Sequence, residues 1–231
     1  QEALQHNKDL HIILGHGSGS FGHPAAERYK TRLGVYSPKD WEGFIEVRQQ
    51  ADALHRIVMD ELWKAKLPAI SFPPSACVTT RKGSKTQWDL GPFKKALEHN
   101  LIPIVFGDVV FDHNIGGTII STEEISMYLC QNLPIQRILI AGIEEGVWKD
   151  RQHKNDIYPL LTSALFKANV ENICNSQAPD VTGGMRAKVE NLFYILSKDP
   201  SIKISIFSGA TPDNLFNALN GAEIGTILKI K

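Results

Sequence analysis

Short runs of apolar, mostly β-branched residues recur along the chain and alternate with longer segments of helical periodicity. The runs occupy 11–15 (HIILG), 69–72 (AISF), 102–106 (IPIVF), 137–141 (RILIA) and 204–207 (ISIF). Runs of this length are typical of strands that are buried on both faces of a mostly parallel sheet. Polar and glycine residues between two further β-type runs predict a hairpin within 108–121.

Helical spacing of apolar residues fills the segments between these runs. Ser37 and Pro38 predict the start of a long helix, because serine caps a helix N-terminus and proline suits the first turn. The apolar spacing of this helix continues to about Trp63. Further helices are predicted at 91–99, 122–132, 156–168, 183–197 and 212–219. The alternation of strands and helices predicts an α/β fold, a three-layer αβα sandwich with a mainly parallel central sheet.

Composition and charge narrow the classes of function. The chain of 231 residues carries 25 basic and 25 acidic side chains, so no overall field favours nucleic acid or an anionic membrane as a partner. Cys77, Cys130 and Cys174 show no CxxC spacing, which fits a reducing compartment better than disulfides or a zinc site. No apolar run approaches the ~18 residues that span a bilayer. We therefore expect a cytoplasmic protein.

The stretch LHIILGHGSGSFGHPAAERY joins an apolar run to a glycine-rich turn and a helix start. Glycines let backbone N–H groups point into a concavity without Cβ obstruction, and a following helix adds its positive N-terminal end. Pro24 suits the first turn of that helix, which would place His23 at the N-cap edge, facing an anion. The stretch predicts a phosphate cradle. A tight turn with a surface histidine is the alternative that this stretch alone leaves equally open.

The segment from Gly17 to Gly22 also satisfies G-x-G-x-x-G, so a dinucleotide site has to be considered. That motif requires a second strand that ends in an acidic residue about 20 residues further on, where the acid holds the ribose. The sequence in that region, SPKDWEGFIEV, starts a helix instead. An NAD-linked oxidoreductase is therefore disfavoured.

A second glycine pair lies in APDVTGGMRAKVE, where Gly183 and Gly184 fall in the first turn of a predicted helix. Glycine costs about 1 kcal/mol inside a helix, so a pair at a helix start suggests that a ligand approaches the backbone closely. Lys188 follows one turn later and could reach a phosphate there. The alternative is a plain capped helix with a solvated lysine.

Three motifs, GHGSGSFGHPAAERY, IPIVFGDVVFD with GTIISTEEI, and DVTGGMRAKV, together resemble isopentenyl phosphate kinases of the amino acid kinase superfamily. The resemblance covers nearly the whole chain, with the motifs in the family's order. Its most specific part is HGxGSFGHP followed by a tyrosine, because other superfamily members generally lack a histidine at the position of His23. The closing SIFSGATPDNLFNALNGAEIGTIL is also similar to the family's C-terminal end.

The resemblance implies one amino acid kinase-like domain over 1–231, with an acceptor-substrate lobe at about 1–134 and a nucleotide lobe at about 135–231. It implies transfer of the ATP γ-phosphoryl group to isopentenyl phosphate, giving isopentenyl diphosphate for isoprenoid biosynthesis by the alternative mevalonate route. It further implies Mg²⁺ carried by the ATP phosphates and a homodimer. A phosphate acceptor is already an anionic nucleophile, so it needs a cation rather than a base, and a protonated His23 would supply one.

The resemblance also assigns roles residue by residue. The catalytic residues would be His23 and Lys188. The acceptor phosphate would lie against Ser18, Gly19, Gly22 and His23. The nucleotide and its transferring phosphate would lie against Gly17, Gly19, Gly142, Gly183, Gly184 and Lys188. The prenyl tail would lie among Val47, Val109, Ile119 and Ile120, for which ordinary core packing is an equally open alternative.

Two departures from the family keep other functions open. The family begins with a strand carrying Lys-x-Gly-Gly-Ser, whereas residues 1–8, QEALQHNK, resemble the end of the helix that follows it. We therefore expect that strand upstream of residue 1. The family's aspartate after the strand at 137–141 is replaced by Ile143. The alternatives are a kinase for another small substrate, such as fosfomycin monophosphate or N-acetylglutamate, and a non-catalytic nucleotide-binding regulatory domain.

Overall fold

The computed structural model describes residues 1–84, 86–150, 152–174 and 184–231. These residues form two compact units. The first unit comprises Gln1 and Lys8–Tyr128, and the second comprises Glu2–Asn7 and Leu129–Lys231. The division falls inside one helix, α6 (Thr122–Asn132). The division into a substrate lobe and a nucleotide lobe stays a prediction.

The first unit contains two sheets and the helices that follow their strands. Its strands are β1 (Leu14–His16), β2 (Ala69–Ser71), β3 (Val78–Thr80), β4 (Gln87–Trp88), β5 (Ile102–Phe106), β6 (Asp108–Asp112) and β7 (Gly116–Ile120). Its helices before α6 are α2 (Gly19–Tyr29), α3 (Pro38–Lys64), α4 (Pro74–Cys77) and α5 (Gly91–Glu98), with a 3₁₀ turn at Thr31–Leu33.

One sheet of the first unit has the order β1-β5-β2 and is entirely parallel. The central strand, β5, is buried at every position, as its unbroken apolar run IPIVF predicts. The other sheet has the order β4-β3-β6-β7, in which β3 and β6 are parallel and β6 and β7 form the predicted antiparallel hairpin.

The long helix α3 begins where its sequence predicts. The Ser37 side chain accepts a hydrogen bond from the backbone N–H of Asp40, and the Asp40 carboxylate accepts one from the backbone N–H of Ser37. This reciprocal pair is a capping box, which satisfies two of the N–H groups that a helix start leaves without partners.

The second unit contains α1 (Glu2–His6), β8 (Arg137–Gly142), β9 (Leu160–Thr162), α7 (Ser163–Cys174), α8 (Gly184–Lys198), β10 (Lys203–Ser208), α9 (Asn214–Leu219) and β11 (Thr226–Lys229). Its sheet has the order β8-β10-β11-β9. The pairs β8–β10 and β11–β9 are parallel, and β10–β11 is antiparallel. Within the described residues, five strand pairings are parallel and three antiparallel, so the prediction of mainly parallel strands is confirmed.

The helix predicted at 156–168 is wrong in its first half. Leu160–Thr162 form strand β9, which pairs with β11, and α7 begins only at Ser163. Pro159 explains the difference, because proline inside a helix removes a hydrogen bond and clashes with the preceding turn. None of the helices described here is long and apolar enough to cross a membrane.

Candidate active site

The glycine-rich loop follows the carboxyl end of β1, where ligands bind in open α/β sheets. Ser18 is the N-cap of the 11-residue helix α2, which begins at Gly19. Gly19 has a φ of +52°, a left-handed conformation that glycine adopts without a Cβ penalty. The first N–H groups of a helix have no partner within it and carry the positive end of its dipole. The loop therefore presents donors that suit a phosphate.

His23 lies one turn further into α2 than the sequence predicts. Because α2 begins at Gly19, His23 falls in the second turn rather than at the N-cap edge, and Pro24 lies inside the helix. The turn starts early because Phe21 N–H already donates to the Ser18 carbonyl, at 3.1 Å. The His23 ring is half-buried, and within the described residues no hydrogen bond or ion pair engages it. Both ring nitrogens are thus available to a ligand.

Gly22 is buried against the start of the same loop. A Cβ at this position would lie 3.1 Å from both the Cβ and the Oγ of Ser18. A contact this short would push Ser18 aside, so glycine here keeps the turn closed between the N-cap and the second turn of α2.

A second histidine, His16, ends β1 directly before the loop and is held by several groups. Its carbonyl accepts hydrogen bonds from Thr122 Oγ1, at 2.7 Å, and from the Gly107 N–H, at 3.3 Å. Its ring bonds to the Gly17 carbonyl through Nδ1, at 2.9 Å, and to Nδ1 of His55 through Nε2, at 3.0 Å. Burial lowers the pKa of His16, although the Gly17 carbonyl opposes that effect.

His55 lies on α3 and is nearly fully buried. Its Nε2 is 2.6 Å from Ser71 Oγ on β2, and its ring stacks on Phe106 with the centroids 4.1 Å apart. Burial, and then the neighbouring His16, lower the pKa of His55 to about 4. Neither residue was predicted from the sequence. The position of His16 at a strand end was a usable signal, whereas His55 gives no local signal.

Three of the four residues predicted to line a prenyl pocket lie together. Val47 on α3 and Val109 on β6 belong to one apolar cluster, and Ile119 on β7 packs against it. The cluster also contains Ala25, Val35 and Phe44. Ile120 is buried, but successive side chains of a strand point to opposite faces, so it lies on the other face of β7 from Ile119.

A buried carboxylate starts the same strand as Val109. Asp108 accepts hydrogen bonds from the backbone N–H groups of Ser75, at 3.1 Å, and Val109, at 2.8 Å, and its Oδ2 is 3.6 Å from Arg48 Nε. Burial raises the pKa of Asp108, although the charge of Arg48 partly offsets the effect. Arg48 also pairs with Asp52, at 3.1 Å. This network, which the sequence analysis did not identify, anchors α3 to β6 next to the apolar cluster.

The described residues predicted for the nucleotide lie in the second unit, apart from Gly17 and Gly19 of the glycine loop in the first. Gly142 ends β8, and a Cβ there would meet no atom within 4 Å, so the space beside it is open. Gly184 begins α8, and the half-buried Lys188 lies one turn along it. Gly183 lies outside the described residues. Ile143 is 90% exposed.

A cavity of about 540 Å³ also lies in the second unit and is lined in part by residues of β8, β10 and β11. Leu139, Ser205 and Ile227 are among the residues on its walls. The described residues that line it include none of those predicted for substrate or nucleotide. Groups of three or more histidine, cysteine, aspartate or glutamate side chains able to hold a metal ion do not occur among the described residues.

The chain is similar to known proteins in sequence and in fold. The sequence profile of the amino acid kinase family matches residues 2–208. Isopentenyl phosphate kinase of Methanocaldococcus jannaschii is 34% identical over 227 residues, which cover 95% of this chain and 81% of that protein. Isopentenyl phosphate kinase of Methanothermobacter thermautotrophicus is 28% identical, over 92% of this chain and 82% of that protein.

A solved isopentenyl phosphate kinase structure has a TM-score of 0.79 to this chain, at 24% identity, and the match covers 99% of this chain and 88% of that one. The predicted α/β fold, with its mainly parallel strands, is therefore confirmed, and so is the resemblance on which the site residues were assigned. The chain belongs to the amino acid kinase family.

Proposed function

We propose that this protein transfers the γ-phosphoryl group of ATP to isopentenyl phosphate, giving isopentenyl diphosphate and ADP in isoprenoid biosynthesis. The observation that carries the proposal is the His23 ring, which no described residue engages, in the second turn of a helix that opens on a glycine loop. The similarity to isopentenyl phosphate kinases supports the choice of acceptor.

The reaction requires positive charge at the acceptor site rather than a general base. A phosphate monoester is already an anionic nucleophile, and its attack on the γ-phosphate is opposed by repulsion between the two anions. Backbone N–H groups at Ser18 and Gly19, together with a cationic His23, would bind the acceptor phosphate and offset that repulsion. Catalysis would then come from positioning and electrostatic stabilisation, without a covalent enzyme intermediate.

The apolar cluster suits a short hydrocarbon chain beside this phosphate site. Ala25 belongs to the cluster and lies on α2 only two residues after His23. Val47, Val109 and Ile119 complete an apolar wall contributed by α3 and the β6–β7 hairpin. A prenyl tail that occupied this region would direct its phosphate toward the start of α2. We retain Ile120 as packing beneath the hairpin.

On the nucleotide side, we propose that Gly142, Gly183, Gly184 and Lys188 hold the ATP phosphates, with Lys188 acting on the transferring group. The N-terminal end of α8 and the open space at Gly142 support this assignment. Mg²⁺ usually keeps several waters and binds through substrate phosphates, so we propose that it arrives with ATP. We also propose a cytoplasmic, homodimeric enzyme, the first from the sparse unpaired cysteines and the second by analogy.

Replacement of His23 tests the proposal. His23→Ala should lower turnover of isopentenyl phosphate by about 10²-fold, the scale of losing one preorganised electrostatic donor. Nucleotide affinity and the melting temperature should stay close to wild type, because no described residue forms a hydrogen bond or ion pair with the ring. His23→Gln, which keeps a neutral donor, should retain more activity than His23→Ala. His99→Ala, an exposed histidine at the end of α5, is the matched control.

The assay should measure ADP release with a panel of isopentenyl phosphate, dimethylallyl phosphate, geranyl phosphate, fosfomycin monophosphate and N-acetylglutamate. Wild-type turnover of prenyl phosphates, together with the loss of about 10²-fold in His23→Ala, supports the proposal. Preference for fosfomycin monophosphate or N-acetylglutamate would favour another kinase, and ATP binding without turnover of any acceptor would favour a regulatory domain. Full activity of His23→Ala would remove His23 from the mechanism.

A further inference from the structure

The two histidines that flank the glycine loop are in opposite situations. His23 is engaged by no described residue, whereas both ring nitrogens of His16 are occupied by groups within the first unit. His16 is therefore not available to bind a phosphate, although it stands directly before Gly17. The hydrogen-bond partners of its side chain indicate a different role.

We propose that His16, His55 and Ser71 form a one-directional chain of hydrogen bonds that fixes the Gly17 carbonyl and so positions the glycine loop for phosphate. This inference rests on the proposed function for its purpose, but the chain itself is a property of the fold. All members of the chain lie in the first unit, on β1, α3 and β2.

The direction of the chain follows from its last acceptor. A backbone carbonyl can only accept, so Nδ1 of His16 must carry the proton that bonds to the Gly17 oxygen, at 2.9 Å. In a neutral ring Nε2 of His16 is then an acceptor, and Nδ1 of His55, at 3.0 Å, must donate to it. Nε2 of His55 is consequently an acceptor as well, and the Ser71 hydroxyl donates to it, at 2.6 Å. Each proton has one possible place.

The surroundings keep both rings neutral. Phe106 lies against both imidazoles, with ring centroids 5.3 Å from His16 and 4.1 Å from His55. The charged groups around the pair are Arg48 and Asp52 on α3, and Asp108 on β6, which Arg48 faces. Burial, the neighbouring His16 and Arg48 oppose a cationic His55, Asp52 favours it, and the pKa of His55 is lowered to about 4. A proton added at Nε2 of His16 would place two N–H groups against each other, whereas one added at Nε2 of His55 would meet the Ser71 hydroxyl, which can turn to accept it, so burial is what opposes the charge on that ring.

The consequence for the loop is that two successive carbonyls are anchored on the protein side. Thr122 and Gly107 hold the carbonyl of His16, and the His16 ring holds that of Gly17. With these oxygens held, neither can turn toward an incoming phosphate, and the following N–H groups keep their orientation without rearrangement. Preorganised donors of this kind cost no reorganisation energy during the reaction. His16, His55 and Ser71 are therefore positioning residues rather than catalytic ones.

The decisive test is the tautomer of each ring. Long-range ¹H–¹⁵N correlation spectra of the ¹⁵N-labelled full chain at pH 7.5 should show His16 and His55 as neutral rings protonated at Nδ1, assigned by substituting each in turn. Both should keep this form as the pH falls through the usual histidine pKa of about 6.5. An Nε2-protonated ring at either position, or ordinary titration near that pH, would overturn the proposal. The spectra need no kinase activity, so this result is independent of the proposed substrate.

A matched pair of variants tests the consequence for phosphate. His55→Asn places an amide nitrogen near the position of Nδ1, whereas His55→Gln places it near that of Nε2. We expect His55→Gln to lower kcat/KM for isopentenyl phosphate by about tenfold or more through a raised KM, with the nucleotide KM unchanged, because small misplacement of binding groups is costly. His55→Asn should recover most of that loss, and exposed His99→Asn should match wild type. Equal losses in His55→Asn and His55→Gln would assign the histidine to packing alone. If neither variant folds, the wild-type spectra decide.

Discussion

Asp112 shows how one side chain organises the loops beside the candidate site. The residue ends β6 and is 6% exposed, yet its carboxylate accepts five hydrogen bonds. The donors are the Thr80 hydroxyl and the backbone N–H groups of Lys82, Gly83, Asn114 and Ile115. One carboxylate thus ties the segment after β3 to the turn of the β6–β7 hairpin. Burial alone would raise the pKa of Asp112, but the hydrogen bonds, led by that from Gly83, outweigh it and hold the pKa well below the usual range.

We expect Asp112→Asn to lower the free energy of unfolding by about 2 kcal/mol at pH 7, because it removes the charge and leaves buried N–H groups poorly paired. A depressed carboxyl pKa adds stability that is complete above the unfolded value of about 4 and is lost as the pH falls below it. The difference between wild type and variant should therefore shrink between pH 5 and pH 3 in urea unfolding experiments. Asp60→Asn, at an exposed carboxylate of α3, is the control. A pH-independent difference would contradict the ionic role.

Individual site residues differ in whether the sequence could predict their role. His23 could be found because a rare motif surrounds it. His16 stands in the same motif, but its role depends on His55, 39 residues away, and on Ser71, a further 16 residues along. The sequence around a histidine on the inner face of a helix does not indicate whether its ring is hydrogen-bonded to distant residues or only packed in the core. Partners distant in sequence are the part of a site that periodicity and spacing do not contain.

At the scale of elements, the packing of α2 on α3 depends on a glycine opposite a tyrosine. Gly43 lies in α3 and is buried, and a Cβ there would lie 2.5 Å from the Cβ and 2.6 Å from the Cδ1 of Tyr29, the last residue of α2. These atoms are the root of the tyrosine side chain, so they cannot move without moving α2. The glycine therefore sets how closely the two helices approach, and α2 carries His23.

Replacement of Gly43 by alanine should destabilise the protein, although alanine usually stabilises a helix relative to glycine. Alanine favours a helix interior over glycine by about 1 kcal/mol, but overpacking of a tight interface typically costs about 1–3 kcal/mol. We expect Gly43→Ala to lower the melting temperature by several degrees and to raise the KM for isopentenyl phosphate, because α2 must shift. Gln49→Ala, at an exposed position of α3, should change neither quantity. A stabilised Gly43→Ala measured by calorimetry would show that the helices adjust freely.

The elements themselves were predictable where local rules dominate. The capping box at Ser37 and the unbroken apolar run of β5 place their elements directly. The helix predicted over Leu160–Thr162 was wrong because the prediction followed the helical spacing of the surrounding apolar residues and gave too little weight to Pro159. Only pairing with β11 makes this segment a strand. The predicted start of α2 was wrong for the opposite reason, because the prediction gave Pro24 too much weight as a first-turn residue. The helix begins at Gly19 and accommodates Pro24 in its interior. Tertiary partners decided both segments.

At the scale of the whole molecule, the family match extends across both compact units, and each unit contains residues predicted to bind a ligand. The residues predicted for the acceptor fall in the first unit together with Gly17 and Gly19 of the nucleotide set, and the other described nucleotide residues fall in the second. Under the proposed function, charge for phosphoryl transfer would be supplied by N–H groups, His23 and Lys188 rather than by carboxylates. The described residues contain no group of three or more potential ligands for a metal ion. The proposed function therefore implies that Mg²⁺ is bound through the nucleotide.

Removal of metal should accordingly abolish activity without changing the stability of the ligand-free protein. If Mg²⁺ is bound through the ATP phosphates, dialysis against EDTA should leave the melting temperature of the ligand-free protein unchanged, because no bound ion contributes to folding. The same treatment should abolish ADP release, and added Mg²⁺ should restore it in proportion to MgATP formation. Differential scanning calorimetry, with and without nucleotide, measures the first effect, and elemental analysis of the purified protein measures retained metal. A lower melting temperature of the ligand-free protein after EDTA, or about one tightly held metal ion per chain, would require a metal site built from protein side chains.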